Sequence, residues 1–175
     1  LEAQTGAYYK PITALDFASL YPSIMMAHNL CYSTLVMNPK YLGLPGVEYE
    51  THGEFTFAQN VPSLLPAVLS DLKKFRKKAK EDMKKFPNMY NIYNGKQLAY
   101  KISMNSVYGF TGAANGMLPC VAIASTTTRR GREMIQESKE YVEENFPGAK
   151  VRYGDSVMPG TPVLTDSCLL YTSPS

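Results

Sequence analysis

The strongest constraint on this chain is a long basic segment bounded like a helix. Lys73, Lys74, Arg76, Lys77, Lys78, Lys80, Lys84 and Lys85 stand against only Glu81 and Asp82, with no Gly or Pro among them. The apolar run Leu64-Leu65-Pro66-Ala67-Val68-Leu69 precedes the segment, and Pro87-Asn88 closes it. The pattern predicts one helix from about Ser63 to Phe86. A second helix is predicted from about Tyr93 to Tyr108, stopping at Gly109. A short Pro/Asn connection between two helices makes an antiparallel hairpin. Taken alone, the basic run is either a solvated helix face or a surface for a polyanion. With 45% hydrophobic against 19% charged residues, the composition is that of a globular protein and too apolar for a disordered one.

The flanking sequence has a different texture. Pro11-Ile12-Thr13-Ala14-Leu15-Asp16-Phe17 reads as a short strand ending on a carboxylate, and Ser19 to Asn29 reads as a helix. Pro22 lies near the first turn of that helix, where a missing N–H costs little. Residues 36–60, rich in Pro, Gly and Thr, predict loop with short strands. Thr126 to Asn145 predicts a further long helix, ended by Pro147-Gly148, and Lys150-Val151-Arg152-Tyr153 a strand leading to Asp155. Two strands thus each deliver an Asp to their C-terminal end, with the helical hairpin inserted between them. Cys31, Cys120 and Cys168 have neither disulfide nor metal spacing, and His28 and His52 predict no zinc site. No run of about 18 apolar residues exists to cross a membrane. The chain opens at Leu1 without a signal-like or transit-like segment, and is expected to be a piece of a longer polypeptide.

Three clusters carry chemistry. Asp16-Phe17-Ala18-Ser19-Leu20-Tyr21-Pro22-Ser23-Ile24 places a carboxylate before a tight turn into a helix. A carboxylate there offers a hard oxygen to a divalent cation, and the first amides of the helix can face phosphate oxygens. An Asp that merely caps the next helix fits the same position. The second cluster is Lys101-Ile102-Ser103-Met104-Asn105-Ser106-Val107-Tyr108-Gly109. Gln97, Lys101, Asn105 and Tyr108 share one helix face, while Leu98, Ile102 and Met104 lie away from it and are expected to pack. That polar stripe either faces water or takes a polar partner such as a nucleoside triphosphate. The third cluster, Tyr153-Gly154-Asp155, is weak by itself and gains force from its order and distance relative to the other two.

The nine-residue string from Asp16 resembles the first catalytic motif of family B DNA polymerases. The Lys101–Gly109 string resembles that family's fingers motif of Lys, three residues, Asn-Ser, one residue, Tyr-Gly. Met25-Met26-Ala27-His28-Asn29-Leu30-Cys31-Tyr32 and Val107-Tyr108-Gly109-Phe110-Thr111-Gly112-Ala113 are similar to the delta-type and large-virus branch of the family. The resemblance implies an α/β (α+β) fold in which palm strands and helices carry an inserted antiparallel helical fingers hairpin, as part of a larger right-hand fold. Residues 1–60 and 111–155 would be palm and 61–110 fingers. It implies template-directed dNTP addition to a primer 3′-hydroxyl with two Mg²⁺ ions, Asp16 and Asp155 being the catalytic carboxylates and the Phe17 carbonyl a further metal ligand. The amides of Ser19 and Leu20 would bind the triphosphate, Tyr21 would lie under the sugar and exclude a 2′-hydroxyl, and Tyr108 would pack beneath the nascent base pair. Lys101 and Asn105 would reach the triphosphate, as would Arg76 and Lys80 from the basic helix. Primer–template DNA and dNTPs are the implied partners, with a sliding clamp and accessory subunits, in a nucleus or a viral factory and without a membrane.

The sequence departs from the family at its third motif. Tyr-Gly-Asp-Thr-Asp-Ser is expected, but Asp155 is followed by Ser156-Val157-Met158, so the second Asp is absent. Either a Thr-Asp pair has been lost or an intein begins at Ser156, whose hydroxyl could accept the acyl shift of splicing. Residues 156–167 resemble an intein's opening block, and the intein is the expectation. Cys168-Leu169-Leu170-Tyr171-Thr172-Ser173-Pro174-Ser175 matches one frame of a common transposon sequencing adapter, and residues 168–175 are expected to derive from it. Besides a self-splicing precursor, a different class of reading remains: a non-catalytic basic helical module that binds nucleic acid, which leaves the Asp16 and Asn105 motifs unexplained.

Overall fold

Helix α1, Leu20–Ala27, shows how local chemistry sets the frame. It starts behind Ser19, which sits in the left-handed region at φ 55°, and it ends at Asn29, left-handed at φ 48°. An asparagine tolerates that conformation better than most residues with a side chain, and the Leu30 amide then reaches back to the Met25 carbonyl at 2.9 Å. Met25 and Leu30, which flank this cap, are both fully buried. The computed structural model describes residues 7, 15–145, 152–153 and 156–157. The predicted strand over residues 11–17 falls largely outside these, and Leu15, Asp16 and Phe17 carry no regular structure.

The chain divides into two units, residues 19–131 and residues 1–18 with 132–175. In the first, α1 is followed by a short 3-10 turn at Pro39–Tyr41 and a hairpin of β1, Tyr49–His52, and β2, Phe55–Ala58. The strands are antiparallel in the register Tyr49 opposite Ala58 and His52 opposite Phe55. Gly53, at φ 66°, makes the turn, and a side chain there would collide with the Arg129 guanidinium. Leu35 forms a bridge to Phe57, and Phe57 is completely buried.

Helix α2, Leu64–Lys85, and α3, Tyr90–Gly112, are joined by a 3-10 turn at Pro87–Met89. Phe86 meets Tyr93 at 6.1 Å between ring centroids and Phe75 meets Tyr100 at 5.8 Å, so the helices run antiparallel, as the sequence predicts. Helix α3 runs on through Gly109 to Gly112. The Thr111 hydroxyl returns to the Tyr108 carbonyl at 2.7 Å and is buried there, packing that outweighs the glycine's cost to the helix. Leu98 and Ile102 do not pack as expected: Ile102 is 65% exposed, and only Met104 of the three is buried. The polar stripe, not the apolar one, faces the rest of this unit.

Helix α4, Val121–Asn145, begins five residues before the predicted start. Ala122, Ile123, Thr126, Thr127 and Gly131 make a buried stripe at helical spacing, so tertiary packing holds a β-branched, weakly helical start in place. In the second unit, the end of α4 carries half-buried pairs such as Lys139 with Glu143 at 3.6 Å. Strand β3, Arg152–Tyr153, pairs antiparallel with β4, Ser156–Val157. Asp155 lies outside the described residues.

Candidate functional site

Within residues 19–131, three elements converge on one arginine. Helix α2 turns Leu65, Leu69, Leu72, Arg76 and Ala79 inward at alternating spacings of four and three, while Lys73, Lys74, Lys77, Lys78, Lys80, Lys84 and Lys85 all point to water. Arg76 therefore occupies a seam position that an apolar residue would normally fill. A guanidinium placed there must be paired, since burying it alone is costly. Its Nη1 donates to Ser19 Oγ at 3.3 Å and its Nε to Gln97 Oε1 at 3.3 Å. Gln97 is only 9% exposed, and its own Nε2 donates to Asn94 Oδ1 at 2.9 Å. That second bond fixes which end of the amide faces Arg76. Ser19 does not cap its own helix. Its strained left-handed backbone instead offers the hydroxyl to Arg76, and strain of this kind clusters at binding sites.

Beside this centre the rings of Tyr21 and Tyr108 lie 4.5 Å apart at 38°. Burial, and then the neighbouring Tyr21, push the Tyr108 phenol above the ordinary tyrosine range. Tyr21 stands against Gly131 of α4, where an added Cβ would come within 3.3 Å of the ring and 3.5 Å of Leu20. The glycine lets α4 approach α1 closely, a role that a lone Gly in a helical pattern does not announce. Lys101 and Asn105 follow Gln97 along the same face of α3 and are half-buried. Lys80, one turn beyond Arg76, is exposed. Residues 19–131 thus bring together Ser19, Arg76 and Gln97, and separately Tyr21 and Tyr108. Leu20 is half-buried at the first position of α1, where a helix leaves its N–H groups without intrahelical acceptors.

In the other unit, Asp16 is exposed and Phe17 half-buried. The Asp16 carboxylate and the Phe17 carbonyl are both oxygen donors, a set that suits Mg²⁺ in kind. Ser156 belongs to β4 and Asp155 is outside the described residues, so the third motif contributes only its backbone pairing.

A second polar cluster forms where no metal site is expected from spacing. The end of α1 and the β hairpin bring His28 Nδ1 to 2.9 Å from Glu50 Oε2, and His52 Nε2 to 3.5 Å from Glu50 Oε1. Arg130 of α4 places its Nε 3.4 Å from His28 Nε2. Burial would raise the Glu50 carboxyl, but the His28 hydrogen bond and the nearby His28, His52 and Arg130 charges outweigh it and hold Glu50 below the usual carboxylate range. Burial pushes the His52 imidazole down, a shift that Glu50 opposes and that His28 and Arg130 reinforce. Next to it, Asn29 Nδ2 lies within hydrogen-bonding reach of the Ala58, Gln59 and Val61 carbonyls at 2.8, 3.0 and 2.9 Å, and its Oδ1 accepts from Ser63. Alternation along β1 sets Glu50 and His52 on one strand face, but nothing in the spacing brings His28 or Arg130, which lie far away in the chain, to meet them.

Comparisons with known proteins show which family the chain resembles. The family model for DNA polymerase family B matches residues 1–163. The chain is 47% identical to the DNA polymerase of Paramecium bursaria Chlorella virus NY2A, over 89% of this chain and 19% of that protein. It is 49% identical to the DNA polymerase delta catalytic subunit of Arabidopsis thaliana, over 89% of this chain and 16% of that protein. The solved structure of the family B DNA polymerase from the archaeon Pyrobaculum calidifontis superposes with a TM-score of 0.64 at 27% identity, over 73% of this chain and 17% of that one. The chain therefore spans less than a fifth of the length of these relatives.

Proposed function

This chain belongs to DNA polymerase family B, and from that premise we propose that it is the palm and fingers portion of a replicative DNA-directed DNA polymerase. Residues 1–60 and 111–155 make the palm in this reading and 61–110 the fingers. The observation that carries it is the convergence on Arg76: a cation in an apolar seam, held by Ser19 from the α1 turn and by Gln97 from α3. The turn before α1, the basic helix and the polar face of α3 thereby meet around a cation suited to a polyanion.

Each residue has a task in this reading. Arg76, Lys80, Lys101 and Asn105 grip the triphosphate, together with the Ser19 and Leu20 amides. Tyr21 lies under the sugar and rejects a 2′-hydroxyl by sterics, and Tyr108 packs under the nascent base pair. Asp16, the Phe17 carbonyl and Asp155 would hold two Mg²⁺ ions, which would supply charge neutralisation and activation of the primer hydroxyl. Primer–template DNA and dNTPs are the substrates, and a sliding clamp and accessory subunits are partners of the complete polypeptide, working in a nucleus or at a site of viral replication. Primer extension by the polypeptide carrying this chain tests the reading. Mg²⁺-dependent extension that Asp16→Asn reduces to background is the expected result, and undiminished extension by that variant contradicts it. The 175 residues alone are not expected to extend a primer, and incorporation by them would overturn that statement.

At the third motif, β4 returns Ser156–Val157 against Arg152–Tyr153, and the family match continues to residue 163. Both support a palm that runs on past Asp155 without the Thr-Asp pair. The intein at Ser156 is the competing reading. A long read of the locus distinguishes them, since an intein requires an in-frame insert that ends in His-Asn and resumes with Thr-Asp-Ser.

A further inference from the structure

The cluster at the end of α1 has the donor set of a transition-metal centre, and we propose that His28, Glu50 and His52 bind one divalent cation of the zinc class. Their ligand atoms all lie within 4.8 Å of one another, the only such group among the described residues. Glu50 sits between the two imidazoles, 2.9 Å from one and 3.5 Å from the other. Three ligands at these separations leave a fourth position for water.

The independent observation is His52. Its side chain is 7% exposed, and its Nε2, directed at Glu50, is buried with no hydrogen-bond partner. This buried imidazole nitrogen has lost its hydration and gained only a 3.5 Å electrostatic contact with Glu50, not a well-formed hydrogen bond. A metal bond at Nε2 supplies the missing interaction. The ring packs at 6.5 Å from the Phe57 ring and edge-on at 5.0 Å from His28, so its orientation is fixed before any ion arrives.

The surroundings match a cation of this class. Glu50 and His52 alternate on one face of β1 and so present their ligand atoms to the same side. His28 is the C-cap of α1, where the last carbonyls of the helix carry partial negative charge. Two imidazoles and one carboxylate form a set that zinc accepts, whereas Mg²⁺ and Ca²⁺ prefer oxygen ligands throughout. Arg130 is the opposing group. Its Nε approaches His28 Nε2 at 3.4 Å, which leaves the metal-free His28 with its proton on Nδ1, donated to Glu50. The cation takes the place of that proton, which moves to Nε2 as the long Arg130 contact opens. His28 remains a neutral imidazole. Glu50 brings one negative charge to the ion, and the fourth position can take a hydroxide as the second.

The test uses the whole 175-residue chain, stripped with chelator and titrated with Co²⁺. The expected result is one Co²⁺ per chain with the visible ligand-field bands of a tetrahedral site, displaced by Zn²⁺ and untouched by Mg²⁺, and a Zn²⁺-dependent rise in melting temperature. His52→Phe, which keeps the site filled, and Glu50→Gln, a change at a half-exposed position, should each weaken Zn²⁺ binding more than about tenfold. Should His52→Phe fail to fold, Glu50→Gln carries the same comparison. A folded wild-type chain without Co²⁺ bands overturns the proposal, as do bands that survive in Glu50→Gln.

Discussion

The helical hairpin and the knot beneath α1 are held together by opposite means. In α2 and α3 the contacts come from a repeating apolar seam, Leu65 to Ala79, met by Met104 and by ring pairs along the helices. In the knot, a single polar residue gathers distant chain: Asn29 reaches Ala58, Gln59, Val61 and Ser63. A seam spreads its stabilisation over many interchangeable methyl groups. A knot concentrates it in bonds that no substitute reproduces. Arg76 is where the two styles meet, a polar anchor set into an apolar repeat.

Mutation can break this contrast or sharpen it. The largest loss is expected in the seam: Leu69→Ala, at a fully buried position, should cost about 3 kcal/mol in urea unfolding, while the more conservative Leu69→Met costs less than about 1.5 kcal/mol. Asn29→Ala should cost roughly 2 kcal/mol, because carbonyls are stranded and a left-handed residue loses its tolerant side chain. Asn29→Asp is the sharper probe. It keeps the size and the Ser63 acceptor but removes the donors, so a seam-like tolerance of this change would erase the distinction.

Arg76→Met comes next. If the guanidinium were there for stability, its removal would weaken the hairpin. Arg76 is half-buried and its two bonds are long at 3.3 Å, while methionine restores an apolar side chain to the seam, so this variant should stay within about 1 kcal/mol of the parent. Lys80→Ala, on the solvated face, should fall within about 0.5 kcal/mol of the parent. The smallest effect concerns Tyr108. Its phenol is held above the ordinary value of about 10. The unfolded chain therefore loses that proton first, and stability declines as pH rises beyond about 10. Ultraviolet titration of the parent against Tyr108→Phe, with unfolding followed over the same range, measures it. A Tyr108 proton lost at or below the ordinary value would contradict the burial seen against Tyr21.

These contrasts also explain what could be read from the chain beforehand. The hairpin was legible because its physics is periodic: a stretch without Gly or Pro, an apolar start, and a Pro-Asn turn. The Asp16 and Lys101–Gly109 motifs were legible as strings. The inward direction of Arg76 was not, since it has the same neighbours in sequence as the exposed lysines; only the phase of the seam, set by Leu65 and Leu69, distinguishes it. Leu98 and Ile102 misled for the same reason, because periodicity names a face without saying which face is inside. His28, Glu50, His52 and Arg130 are joined by chain reversals rather than spacing, and a histidine pair with no motif gave no hint of meeting. Gly131 likewise acquires meaning only once Tyr21 lies against it.

Arg76 decides the central claim, that the arginine in the seam is kept for a nucleotide rather than for the fold. The measurement is single-nucleotide primer extension by the polypeptide carrying this chain, comparing Arg76→Met with the parent across dNTP concentration. Loss of charge-assisted bonds to a triphosphate should raise KM for dNTP by about tenfold or more while the unfolding midpoint holds. An unchanged KM, with a hairpin that loses stability instead, would make Arg76 a structural residue and contradict the account.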